Sequence, residues 1–317
     1  MKQPILILST VLFVLFILAG AYIYRSHSLA PMNDPSSRDT KVRIAASFYP
    51  LGEFAGRVGG DLASVSVIVP AGVEPHDYEP TPRDIATIYV SDVFVINGAG
   101  MDAWAEKIRP DLESKGVKVL VMSDALGFKS SVDTSTLKEN LADPHFWLDP
   151  VLAEKEVNAL KDILNSVDVK NQAVYTDNAE VYTQALQSLD QSYRDGLSVC
   201  SNKTIITSHA AFGYVAQQYG FVPFSITGFS PESEPSTRQL ADLATLARQK
   251  QIKYIFFETL VSPRLADTLA NEIGAQTLVF NPLEGLTVEE SSQGKDYISV
   301  MRENLHNLQI AMDCHGQ

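Results

Sequence analysis

The sequence predicts an α/β protein built as two β/α lobes, with parallel-rich sheets, joined by a long α-helix. Three observations carry that reading. Short apolar runs, several with no in–out alternation, alternate with helical stretches in two separate sets, as strands buried on both faces of a parallel sheet do. Between the sets, residues 151–200 hold no strand signal and no proline. Within that interval one apolar stripe persists at helical spacing from Tyr175 to Tyr193.

The first set of strands is expected at 42–48, 64–69, 93–97 and 117–122, and the second at 204–208, 222–226, 254–258 and 276–280. Helix starts are marked between them. Thr81-Pro82-Arg83-Asp84 offers an N-cap, a proline at the first helical position and a capping-box acid. Ser236 with Gln239 makes a second box, and Ser262-Pro263 repeats the cap-then-proline pattern. Leu240, Leu243, Leu246 and Ala247 fall on one helical face. In the interval between the sets, 171–197 reads as one long helix whose stripe is Tyr175, Ala179, Tyr182, Leu186, Leu189 and Tyr193. The expected organisation is therefore an N-terminal lobe at 41–150, a helical connector at 151–200 and a C-terminal lobe at 201–317.

Residues 4–24 carry no charge, and as a helix they would span roughly 30 Å, the thickness of a bilayer core. The segment 1–25 is either a secretory signal or an uncleaved membrane anchor. A cleaved signal has an apolar run of about 7–15 residues, so the length favours the anchor, although Ala19-Gly20-Ala21 offers a cleavage site. Residues 26–40, rich in Ser, Pro and Asp, read as a flexible tether. In both cases the rest of the chain works outside the cytoplasm. There the two cysteines, Cys200 and Cys314, are expected to form a disulfide that pins the C-terminal tail to the start of the second lobe; two separate thiols are the alternative. A formal charge of −13 argues against nucleic acid as a partner and leaves cations open.

Three of the six histidines stand at strand ends or in loops. His76 lies in "VEPHDYEPTPRD", His145 in "DPHFWLDP" and His209 in "TSHAAFGYVA". Ligands of open α/β sheets bind beyond the carboxyl ends of the strands, where such loops gather. Prolines around His76 and His145 restrict the backbone and fix the direction of each ring before an ion arrives. Imidazole suits zinc, copper, nickel and iron, and three of them need a fourth ligand to close a tetrahedron. Glu284 in "VFNPLEGLT" is the expected fourth, with Asn281 and Glu258 as nearby rivals. Asp77, Asp149 and Glu258 are the acids expected to hold the outer ring nitrogens.

With "GVEPHDYEPTPRD", "DPHFWLDP", "SHAAFGYVAQQYG", "FFETLVSP" and "FNPLEGLT" taken together, the chain from residue 42 onward resembles the metal-binding solute receptors of bacterial ABC importers, in their zinc and manganese branch. The resemblance implies ligands at His76, His145, His209 and Glu284, an ion gripped between the lobes, and an ABC permease that reads the closed form. A glutamate at 284 and a histidine at 209 resemble the zinc-specific members, with manganese as the alternative cation. Zn²⁺ is also preferred on physical grounds, since Mn²⁺ ranks below it for nitrogen-rich sites and Mg²⁺ and Ca²⁺ want oxygen shells. The chain is expected to be a monomer and not an enzyme. The rivals of other classes are a zinc hydrolase, for which no H-E-x-x-H pattern is present, and a surface adhesin. Two departures stand out. Ala21 occupies the place of a lipobox cysteine, and 127–142 holds none of the histidines found in the acidic loop of many zinc receptors.

Overall fold

The structure is a computed structural model that describes residues 41–128 and 143–315. The proposed anchor, the tether and nearly all of the histidine-free stretch lie outside the described residues. No helix among those described is long and apolar enough to cross a membrane.

Two four-stranded parallel sheets form the frame. The first contains β1 (Val42–Ala46), β2 (Ala63–Val67), β3 (Val93–Ile96) and β4 (Lys118–Val121) in the order β2-β1-β3-β4. The second contains β5 (Thr204–Thr207), β6 (Val222–Ser225), β7 (Tyr254–Phe257) and β8 (Gln276–Val279) in the matching order β6-β5-β7-β8. Each sheet thus reverses its strand order between its first and third strands, and the loops leaving those strands part to open a crevice. All four residues of β3 are buried, which explains why its sequence shows no alternation.

The helices in chain order are α1 (Tyr49–Gly59), α2 (Pro82–Tyr89), α3 (Ala103–Ser114), α4 (Met122–Ala125), α5 (Pro150–Val167), α6 (Gln172–Gly196), α7 (Gly213–Tyr219), α8 (Thr237–Gln249), α9 (Arg264–Ile273), α10 (Val288–Ser292) and α11 (Tyr297–Ala311). The capping boxes of α2 (Thr81 with Asp84) and α8 (Ser236 with Gln239) form as the sequence predicts. At α9 the helix starts one residue later than expected. Pro263 is the N-cap, and Ser262 accepts only a long bond of 3.4 Å from the Arg264 N–H. On α8 the fully covered positions are Ala244 and Ala247, while Leu240 and Leu243 pack from the margin.

The interval 151–200 holds two helices. Ahead of α6 runs α5, whose own stripe is Ala153, Val157, Leu160 and Leu164. The long helix α6 buries the stripe expected of it, Tyr175 to Tyr193. Its 25 residues span roughly 37 Å at 1.5 Å per residue. Along that length it serves both lobes. Asn178 donates to Val58 O in the first lobe (3.0 Å), and the Tyr193 hydroxyl donates to Met301 O in the second (2.7 Å). One continuous apolar core runs through both lobes along this helix, with a smaller core beneath each sheet's other face. Cys200 and Cys314 are bonded and tie the end of the connector to the end of α11.

Several polar links join the lobes directly. Trp147 Nε1 donates to Pro282 O (2.8 Å), the Tyr297 hydroxyl donates to Trp147 O (2.6 Å) and the Gly72 N–H donates to Leu286 O (2.8 Å). Gly72 has φ 83°, a left-handed conformation that suits glycine.

Candidate metal centre

Four loops deliver one side chain each to the same point. His76 follows β2. A turn closed by the Tyr78 N–H on Pro75 O (3.2 Å) holds its backbone, and its own N–H donates to the Glu74 carboxylate (2.8 Å). The Tyr78 hydroxyl donates to Asp84 in the α2 capping box (2.8 Å), so the loop is fastened to the helix that follows it.

His145 precedes a short 3₁₀ turn, Phe146–Leu148, whose three side chains are buried. Those apolar anchors sink the turn into the core and leave the histidine at its edge. The Asp143 carboxylate accepts from both the His145 N–H (3.0 Å) and ring Nδ1 (2.8 Å), which turns Nε2 toward the centre. Asn97 ties the same loop to the end of β3 by donating to Pro144 O (3.0 Å).

His209 leaves β5 at the second sheet's reversal point. The Glu258 carboxylate, at the end of neighbouring β7, accepts from the His209 N–H (3.1 Å) and from Nδ1 (2.7 Å). Glu284 follows β8 in a turn shaped by Asn281. The Asn281 side-chain oxygen accepts from the Leu283 N–H (2.8 Å), and Asn281 is itself locked to Asn304 of α11 (2.9 and 2.7 Å). That bond holds Leu283 at φ 54°, a conformation that branched side chains normally avoid, and the following residue is thereby aimed inward.

His76, His145, His209 and Glu284 each offer one donor atom, and all four atoms lie within 4.8 Å of one another. Glu284 Oε1 stands 3.2, 3.3 and 3.0 Å from Nε2 of His76, His145 and His209. The Nε2 of His145 is 3.3 Å from that of His76 and 3.2 Å from that of His209. Donors held 2.0–2.1 Å from a tetrahedral zinc stand about 3.3–3.4 Å apart, so five of the six edges already have nearly that length. The side chains of His145, His209 and Glu284 are 0–1% exposed and that of His76 is 8% exposed.

Burial opposes charge here, yet opposite charges outweigh it. Burial alone would lower the His209 pKa, but the Glu284 and Glu258 carboxylates hold the ring well above the ordinary imidazole range. Burial would likewise raise Glu284, but His209 and the hydrogen bonds from the three rings keep it well below the ordinary carboxylate range. Beside them Glu74 is pushed up to about 9 by burial and by the Glu284 charge, so it is neutral at pH 7.

Of the three acids expected to hold the outer ring nitrogens, Glu258 alone does so. Asp149 instead caps α5 by accepting from the Val151 N–H (2.9 Å). Asp77 is exposed and makes no hydrogen bond to a ring among the described residues. Asp143 takes the part, and sequence reasoning missed it. The available signal was an aspartate two residues before a histidine, since such a side chain commonly bonds the backbone two positions on. The rival fourth donors have other tasks: Asn281 builds the turn, and Glu258 holds His209.

Comparison with known proteins agrees with this chemistry. Residues 44–311 match the family model described as ZnuA, zinc-uptake complex component A, periplasmic. The zinc-binding lipoprotein AdcA of Streptococcus pneumoniae is 39% identical over 296 residues, covering 91% of this chain and 59% of that protein. The chain therefore spans about three fifths of that relative's length. The high-affinity zinc uptake system protein ZnuA of Bacillus subtilis is 37% identical over 309 residues, covering 94% of this chain and 97% of its own. The crystal structure of the Zn(II)-bound ZnuA-like domain of Streptococcus pneumoniae AdcA superposes with a TM-score of 0.74 at 40% identity, covering 86% of this chain and 99% of that one.

Proposed function

We propose, from the premise that this chain belongs to the ZnuA family of zinc-uptake components, that it captures Zn²⁺ outside the cytoplasm and hands it to the permease of an ABC importer. The observation that carries the reading is that five of the six distances among the four donor atoms are nearly those of a tetrahedral zinc shell. In this reading His76 and His145 come from the lobe at 41–150, and His209 and Glu284 from the lobe at 201–317. An ion bound to both lobes at once favours their closed arrangement, and that difference in affinity is the signal a permease can read.

The donor set also speaks for selectivity. Three imidazole nitrogens and one carboxylate oxygen suit Zn²⁺ and disfavour Mg²⁺ and Ca²⁺, and Mn²⁺ ranks below Zn²⁺ for such a set. Four protein donors on one tetrahedral ion leave no position for an activated water, so the site reads as a carrier rather than a hydrolase. The Cys200–Cys314 disulfide suits an oxidising compartment, in keeping with the family's periplasmic description. A retained apolar segment at 4–24 would keep the receptor near its permease.

The test is elemental analysis of protein purified without added metal, followed by competitive titration with Zn²⁺ and Mn²⁺. The expected result is one ion per chain, with zinc displacing manganese. A chain that prefers manganese, or binds neither, would contradict the reading.

A further inference from the structure

Among the described residues a cavity reaches the candidate site, and it is walled unequally. This cavity, of about 340 Å³, reaches His76 and is lined also by Asp77, Gly100, Pro144, Phe229 and Ser233. His76, the most exposed of the four donors, is the one that meets this cavity, so an ion arriving there touches it first.

One wall is fixed. The turn after β3 is held by the buried Asp102 carboxylate, which accepts from the Asn97 N–H (2.7 Å) and the Gly98 N–H (2.9 Å). Asn97 fastens the same turn to Pro144. The opposite wall is a segment between β6 and α8 with no helix or strand. It is tied at its start by the Thr227 N–H on Ser208 O and the Ala210 N–H on Gly228 O (2.9 Å each), and at its end by the Ser236 cap. Between these ties the described backbone bond is a long turn contact, the Ser233 N–H to Ser230 O at 3.4 Å. Phe229 projects from this loosely held stretch. Its ring centre stands 6.2 Å from that of His145, and the residue is 36% exposed, unusual for a large aromatic. Gly228 before it has open space where a Cβ would sit.

Moving a half-exposed ring on such a stretch takes nanoseconds to microseconds. Separating the lobes instead requires breaking the Trp147–Pro282, Tyr297–Trp147 and Gly72–Leu286 bonds and exposing part of the shared core. We propose that Phe229 governs exchange of the bound cation with solvent, which enters and leaves past His76 through this mouth while the lobes stay together. The inference rests on the zinc-capture reading and adds to it a route and a residue that sets its rate. Phe229 is none of the four donors and takes no part in the outer hydrogen bonds of His145 and His209, although its ring lies beside that of His145, so the proposal places its effect on the barrier between bound and free ion.

The experiment is stopped-flow exchange of Zn²⁺ on the full chain. Release is followed with excess chelator and uptake with a zinc-responsive dye, alongside equilibrium affinity. Phe229→Ala is expected to raise both the uptake and release rates roughly tenfold, with a Kd change of less than about threefold. Ser233→Trp, which narrows the mouth from the exposed rim, is expected to slow both. Parental rates in both variants would overturn the proposal, as would a faster release with unchanged uptake, since Phe229 would then be a contact of the bound state. If either occurs while the parent binds one zinc, the capture reading survives. A parent that binds no zinc removes both.

Discussion

The outer nitrogens of the three rings stand in different surroundings, and substitutions should rank accordingly. His209 is held by a carboxylate that is itself 3% exposed, so solvent has little access to take its place. Glu258→Gln is expected to weaken zinc binding by about 10–100-fold, the usual cost of removing such a partner, and His209→Ala by several orders of magnitude with the circular dichroism spectrum unchanged. Asp149→Ala should leave zinc affinity alone and lower stability by about 1 kcal/mol through the lost helix cap. Equal losses of affinity in Glu258→Gln and Asp149→Ala would contradict these assignments. The raised His209 pKa sets the sign of the pH dependence. The carboxylates around it favour the protonated ring in the zinc-free site, and that proton must leave before Nε2 can bind the ion. Affinity should therefore be weaker at about pH 5.5 than at about pH 7.5, with proton release visible by calorimetry in buffers of different ionisation heat; binding with no proton release would refute it. The four donors were legible in the sequence for different reasons: His76 and Glu284 lie in Pro- or Gly-punctuated loops after strands, His209 follows β5 directly, and His145 is framed by the prolines and aspartates of "DPHFWLDP". The acids behind them were not legible to the same degree. Asp77, Asp143 and Asp149 lie within a few residues of a ring and Glu258 lies 49 positions from His209, yet Asp143 and Glu258 are the ones used, because ring orientation and sheet pairing are not encoded in spacing.

At the level of single elements, the strands were legible because each is a short apolar run bounded by turn residues, and α6 because its stripe never breaks. The interval 151–200 is expected to be helical, and both its helices are; α6 announces itself by a longer stripe than that of α5, which is Ala153, Val157, Leu160 and Leu164. Leu189 lies where α6 meets the shared core and is fully buried, so Leu189→Ala should cost about 2–5 kcal/mol in denaturant unfolding. A loss below about 1 kcal/mol would mean that α6 does not carry the core as described. The disulfide joins residues 114 positions apart, a long loop whose closure restricts the unfolded chain. Replacing both cysteines by serine is expected to lower stability by about 2–5 kcal/mol while zinc affinity stays at the parental value. A parallel loss of affinity would show that the tail does more than brace the second lobe.

For the whole molecule, the central expectation is a stiff clamp. Two sheets of equal topology face a common crevice, a single core runs through both, and the connector is a pair of packed helices, α5 and α6, rather than a loop. Such a hinge permits a small tilt. Radii of gyration with and without zinc should agree within roughly 1 Å by small-angle scattering, and a change of several ångströms would mean a looser hinge than the shared core implies. Because the ion holds both lobes, zinc should also stabilise the fold, by about 2.7 kcal/mol when free zinc is a hundred times Kd. The most direct test of the account is X-ray absorption at the zinc edge on the loaded protein. The predicted spectrum is a four-coordinate shell of three nitrogens and one oxygen at about 2.0–2.1 Å, changed by His76→Ala and by Glu284→Ala alike. A six-coordinate oxygen shell, or a spectrum indifferent to those two substitutions, would contradict it.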